Sequence, residues 1–197
     1  MDVAIKNSEI VYYIDSGRDD AKELFKSALY SVLSEKAKMD YDEIIILCIG
    51  SDRATGDCLG PLCGYKLEGF DKIKESICLY GTLDKPVHAK NLSEAIDEIY
   101  TIYKKPLVIA VDACLGRVGH VGYITVGGGS LKPGSAMNHS LPSIGDIHIT
   151  GIVNIMGKLD IHILTNTRLN LVMKLADIIS EGIHEFFCTE DLGEINI

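Results

Sequence analysis

Two aspartates stand where apolar chain gives way to polar chain. Asp57 lies in the loop Ile49–Pro61 that follows the apolar run Ile44–Cys48, and Asp112 ends the apolar run Pro106–Val111. Carboxylates at the ends of two neighbouring buried strands can face each other, and a close pair cannot comfortably ionise twice, so one proton is shared. The ionised member can deprotonate water while the protonated member polarises a carbonyl, which is aspartic-type hydrolysis. The same pair can instead hold a divalent metal whose bound water is the nucleophile. Each residue has an ordinary alternative. Asp57, just ahead of a helix, reads equally as an N-cap worth about 1 kcal/mol. Asp112 is harder to explain away, because a carboxylate ending so apolar a strand needs partners or solvent.

Other polar residues share these loops. Asp52 precedes Asp57 and adds negative potential or stays solvated; Asp84 and His88 follow a second strand whose end lies beside the first. Arg117 can orient a substrate carbonyl, although a loop arginine is usually solvated. Cys114 lies two residues past Asp112 along a strand, which is not the geometry of a thiol nucleophile and its base, and reads as a packing cysteine. Gly50, Gly56 and Gly60 fit neither G-x-G-x-x-G nor a Walker A loop, so no nucleotide is expected.

The elements that must position these groups follow from periodicity. Leu24, Phe25, Ala28, Leu29, Val32 and Leu33 predict a helix from Asp20 to about Lys38. Strands are predicted at Glu43–Ile49, Ser76–Gly81 and Pro106–Val111, with helices from Asp57 to about Phe70 and from Leu92 to Lys104. Glu9–Ile14 and Val121–Val126 read as edge strands, and Ile161–Asn166 as a last strand. Thr167 would cap a helix over Arg168–Phe187, and the acidic tail after Cys188 should fray. Pro142–Met156 fits strand and helix alike. Alternating strands and helices imply one α/β domain over residues 1–197, a three-layer αβα sandwich with a mostly parallel sheet and peripheral segments at 1–19 and 188–197. If the three main strands take the order 2-1-3, the ends of the first and third border one crevice, with Asp57 and Asp112 both lining it.

The chain has 197 residues, is 47% hydrophobic and carries a formal charge of −9. That charge and the lack of a dense basic cluster argue against direct nucleic-acid binding and favour a basic protein substrate. No window is apolar enough for a membrane span or a signal peptide, so a cytoplasmic protein is expected. The six cysteines show no C-x-x-C spacing and read as reduced structural thiols.

Ser51–Pro61, Tyr80–His88, Ile109–Gly116, Lys132–Gly134, Gly145–Asn154 and Asn166–Leu169 together resemble the ordered motifs of the YyaC-like sporulation proteins. The resemblance spans roughly residues 43–187. That family is related to the germination endoprotease of spore formers and, more distantly, to the hydrogenase maturation proteases, all on a phosphorylase/hydrolase-like α/β fold. Asp57-Cys58-Leu59-Gly60-Pro61 and Val111-Asp112-Ala113-Cys114 are similar to the endoprotease motifs that carry its essential aspartates, which implies Asp57 and Asp112 as the catalytic pair. His148, in a matching block, is the leading third polar group, followed by His139, and Asp57, Asp112 and His148 are the implied metal ligands if one is used. The resemblance implies a sporulation- or germination-associated peptidase in the spore or forespore interior, acting on a protein or peptide such as the small acid-soluble spore proteins. A binding or scaffold protein without turnover and a metal-dependent hydrolase are the alternatives.

Overall fold

Ile44–Cys48 and Leu107–Val111 are apolar at every position, so their strands need cover on both faces of a sheet. The structure, a computed structural model, describes residues 1–6, 9–36, 40–70, 77–134, 141–157 and 160–189. In it, β3 (Glu43–Cys48), β4 (Cys78–Tyr80), β5 (Pro106–Gly116) and β7 (Ile147–Ile155) form the parallel part of a seven-stranded mixed sheet, and β1 (Asp2–Lys6), β2 (Glu9–Asp15) and β6 (Tyr123–Gly128) extend it in antiparallel fashion. The order is β1-β2-β6-β7-β5-β3-β4. Within it, β4-β3-β5 is the 2-1-3 arrangement on which the crevice depended.

Helices α1 (Ala21–Lys36), α2 (Leu59–Glu68) and α5 (Leu169–Thr189) cover one face, where Phe25, Leu29, Leu59, Leu67, Leu175 and Phe186 pack on Ile46, Ile109, Val111, Ile147 and Ile149. On the other face α3 (Leu92–Ile102) packs Leu92, Ala95 and Ile99 against Ile45, Leu47, Val108 and Ala110. The alternating residues of β5 thus face two cores, giving the three αβα layers. No described helix is long and apolar enough to cross a membrane.

Several expectations are corrected. The strand expected at Ile161–Asn166 is a helix, α4 (Asp160–Thr165), which packs beside the turn at Thr55–Cys58. Thr167 does not cap α5: its hydroxyl donates to the Ile163 carbonyl at 2.9 Å and accepts from Asn154 Nδ2 at 3.2 Å. Pro142–Met156 contains strand β7, whose buried residues alternate over Ile147–Gly151. β2 and β6 are interior strands rather than edges, paired with each other and with β1 and β7. With Ile14 fully buried, residues 1–19 are not wholly peripheral. The tail 190–197 lies outside the described residues.

Candidate active site

Asp57 is presented by a loop that remains tied to its neighbours after β3 ends. Ile49 donates its N–H to the Val111 carbonyl at 2.7 Å, and Gly50 donates to the Val87 carbonyl at 2.8 Å. Gly50 then turns with φ of 139°, a conformation that favours glycine, and a Cβ there would strike the Asp57 carbonyl. The loop closes when the Ser51 N–H reaches both that carbonyl, at 3.2 Å, and Asp57 Oδ2, at 2.8 Å. The side chain of Asp57 therefore receives a hydrogen bond from the chain before it and does not cap α2, whose N-cap position, Cys58, makes no side-chain cap bond.

Asp112 is not at a strand end. β5 continues four residues past it, to Gly116, while β3 stops at Cys48, the partner of Val111. Asp112 is thus the first β5 residue beyond its partnership with β3, and it lies opposite Thr150 on β7. The crevice is the step left where the shorter strand ends. Asp112 is 8% exposed, and its Oδ1 accepts the Ala113 N–H at 2.8 Å. Both aspartates line a groove of about 1040 Å³ on the sheet face that α3 leaves uncovered.

Burial pushes the Asp112 carboxyl well above the usual carboxylate range, and the charge of Asp57 pushes it further; only the Ala113 N–H opposes. Asp57 is also raised by burial, but the Ser51 hydrogen bonds and the nearby His88 hold it down. The environments separate the two: burial beside a second carboxylate favours the protonated form more strongly at Asp112 than at Asp57, whose hydrogen bonds favour the ionised form.

His88 is brought to the loop because Val87 pairs with Ile49. Its N–H donates to Asn91 Oδ1 at 2.8 Å, and Asn91 Nδ2 donates to the Pro86 carbonyl at 3.0 Å, which fixes the turn. Its Nδ1 is buried with no hydrogen-bond partner among the described residues. His148 faces the same groove, but its register partner is Ala110, two residues before Asp112, and its Nδ1 lies 3.1 Å from the Gly129 carbonyl. The imidazole whose charge reaches Asp57 is that of His88. Asp52 and Asp84 are exposed loop residues that do not line the groove, whereas the exposed Arg117 does. His139 lies outside the described residues.

Among the described residues no three His, Cys, Asp or Glu side chains gather to hold a metal ion. Asp57, Asp112 and His148 are therefore not assembled as a ligand set. The residues that sequence reasoning missed are Thr150 and Thr125. Their hydroxyls lie 2.6 Å apart, and Thr150 Oγ1 accepts from the Cys114 thiol at 3.4 Å, forming a polar floor beside Asp112. The signal was the alternation His148, Thr150, Ile152, hidden until β7 was known to be a strand.

The family model "Protein of unknown function (DUF1256)" matches residues 14–182. "Uncharacterized protein YyaC" of Bacillus subtilis (strain 168) is 51% identical over 140 residues, covering 71% of this chain and 67% of that protein. Among solved structures, the NiFe hydrogenase maturation protease HycI from Thermococcus kodakarensis KOD1 is similar at a TM-score of 0.48 and 19% identity, over 79% of this chain and 98% of that one.

Proposed function

We propose, from the premise that this chain belongs to the DUF1256 family, that it is a peptidase in which Asp57 and Asp112 hydrolyse an amide bond. The observation that supports this reading is the electrostatic pairing of two carboxylates in one groove, with Asp112 nearly buried and raised partly by the charge of Asp57. Asp57 takes a proton from water as the oxygen attacks the scissile carbonyl carbon, and Asp112, protonated on the oxygen not bonded to Ala113, hydrogen-bonds the carbonyl oxygen. When the C–N bond breaks, Asp57 returns that proton to the leaving nitrogen. His88 supports the ionised state of Asp57. The two carboxylates also offer oxygen donors to a divalent ion, which would supply an activated water.

The substrate is a polypeptide, and the charge of −9 favours a basic one. The resemblance supports a cytoplasmic role in a spore-forming cell, with small acid-soluble spore proteins as the first substrates to try. Cleavage of these proteins and of peptide libraries should fall by on the order of 10²- to 10⁴-fold in Asp57→Asn and in Asp112→Asn. Full activity in both variants overturns the proposal. Absence of hydrolysis by the wild type, with a partner whose binding depends on Asp112, would assign a binding role instead.

A further inference from the structure

Strand β1 forms one edge of the sheet, paired on one side with β2 only. Its residues Asp2 to Ile5 are exposed, with Val3 at 57% and Ile5 at 79%. An edge strand is a template for further pairing, and proteins usually blunt it with charges, bulges or cover. Here the exposed residues in the middle of the strand are Val, Ala and Ile. Its sequence, Asp2-Val3-Ala4-Ile5-Lys6, is complementary to itself when laid antiparallel about Ala4. Asp2 then meets Lys6, Val3 meets Ile5, and Ala4 meets Ala4.

We propose that β1 pairs antiparallel with β1 of a second copy of this chain, about a two-fold axis at Ala4, joining the two seven-stranded sheets edge to edge. The interface is isologous, so each favourable pair occurs twice. Val3 and Ile5 lie across from Tyr12 and Ile10 in the hairpin. They therefore share the helix-covered face, where Tyr12 packs on the core, and would form one aliphatic cluster with their counterparts. Asp2 and Ala4 lie across from Tyr13 and Val11, and all four line the groove.

A two-fold axis between antiparallel strands is perpendicular to the sheet, so both grooves open on the same side. The wall formed by Asp2 and Ala4 becomes the seam between them. This last consequence rests on reading the groove as a substrate site, whereas the pairing does not. Five residues per copy bury little surface, so the association is reversible rather than obligate.

Sedimentation equilibrium over a range of protein concentrations tests the pairing directly. The wild type should show a monomer–dimer equilibrium, weakened about tenfold in Asp2→Lys, which opposes two lysines across each end of the seam. Lys6→Asp should also weaken it, but that change places an acid opposite Glu9 within the hairpin, so Asp2→Lys is the cleaner variant. The double variant Asp2→Lys/Lys6→Asp should restore association, a rescue specific to this register. In a Cys188→Ser background, which removes an exposed thiol, Ala4→Cys should cross-link two copies under mild oxidation at residue 4, and Val3→Cys should not. A wild type that stays monomeric throughout, or a dimer indifferent to the charge changes, overturns the inference. Either result leaves the peptidase reading intact, because cleavage is measured separately.

Discussion

At the scale of single residues, the pair is asymmetric. Asp112 is buried with one N–H for company, and Asp57 has two hydrogen bonds from Ser51 and a neighbouring imidazole. That asymmetry has a thermodynamic signature. Burial raises the folded-state pKa of Asp112 above its unfolded value, so the folded protein holds this proton more tightly than the unfolded chain does. The resulting stability is fully present below the ordinary carboxylate range and is lost as pH rises through the raised folded value. At neutral pH, Asp112→Asn removes the need to keep that carboxyl protonated or to bury its charge, and its amide oxygen can still accept the Ala113 N–H. We expect the variant to melt about 2–4 °C above the wild type at neutral pH and to lose that advantage as pH falls toward 4. Differential scanning calorimetry across pH measures this. A wild type equally stable at both ends of the range would contradict the assignment of the proton to Asp112.

At the scale of elements, the loop from β3 to α2 depends on close backbone approach. A Cβ on Gly60 would collide with the carbonyl oxygen of Ile49 and come within 2.7 Å of its nitrogen. Both are main-chain atoms of the strand's exit and cannot rotate away. Gly60→Ala should therefore cost about 2–3 kcal/mol, read by chemical denaturation, and should lower activity by displacing Asp57; an unchanged midpoint would show that α2 can back away from β3. The glycine spacing and the two apolar runs made this loop, the α/β class and both aspartates legible in the sequence. What was not legible depended on partners distant in the chain. Pro106–Val111 showed a strand, but its continuation through Asp112-Ala113-Cys114 is held by β7, some forty residues later. Ile161–Asn166 has strand-like residues, yet Asp160–Thr165 forms α4, packed beside the Thr55–Cys58 turn far away in the chain. His88 was named only as one of several loop candidates because its place depends on the Val87–Ile49 bridge. No local pattern distinguishes it from His148.

At the scale of the whole molecule, α1, α2 and α5 cover one face and α3 covers part of the other among the described residues, so the two sides of the sheet differ in accessibility. Cys48 and Cys63 are fully buried between β3 and α2; burial pushes Cys48 up to about 12 and Cys63 well above its ordinary value. Cys188 is exposed on α5. Thiol labelling followed by mass spectrometry should modify Cys188 first, and Cys48 and Cys63 only at the rate of global unfolding. Early modification of Cys48 would mean that the sheet opens locally at β3. The overrun of β5 past the end of β3 has a mechanical consequence of the same kind. One acid stands on a strand paired with β7 from Ile109 to Gly116, a fixed anvil; the other rides on a short loop anchored at Gly50 and Ser51, an adjustable jaw. A ligand that widens or narrows the gap must do so chiefly by moving the jaw, so the grip on a substrate is set from the β3 side.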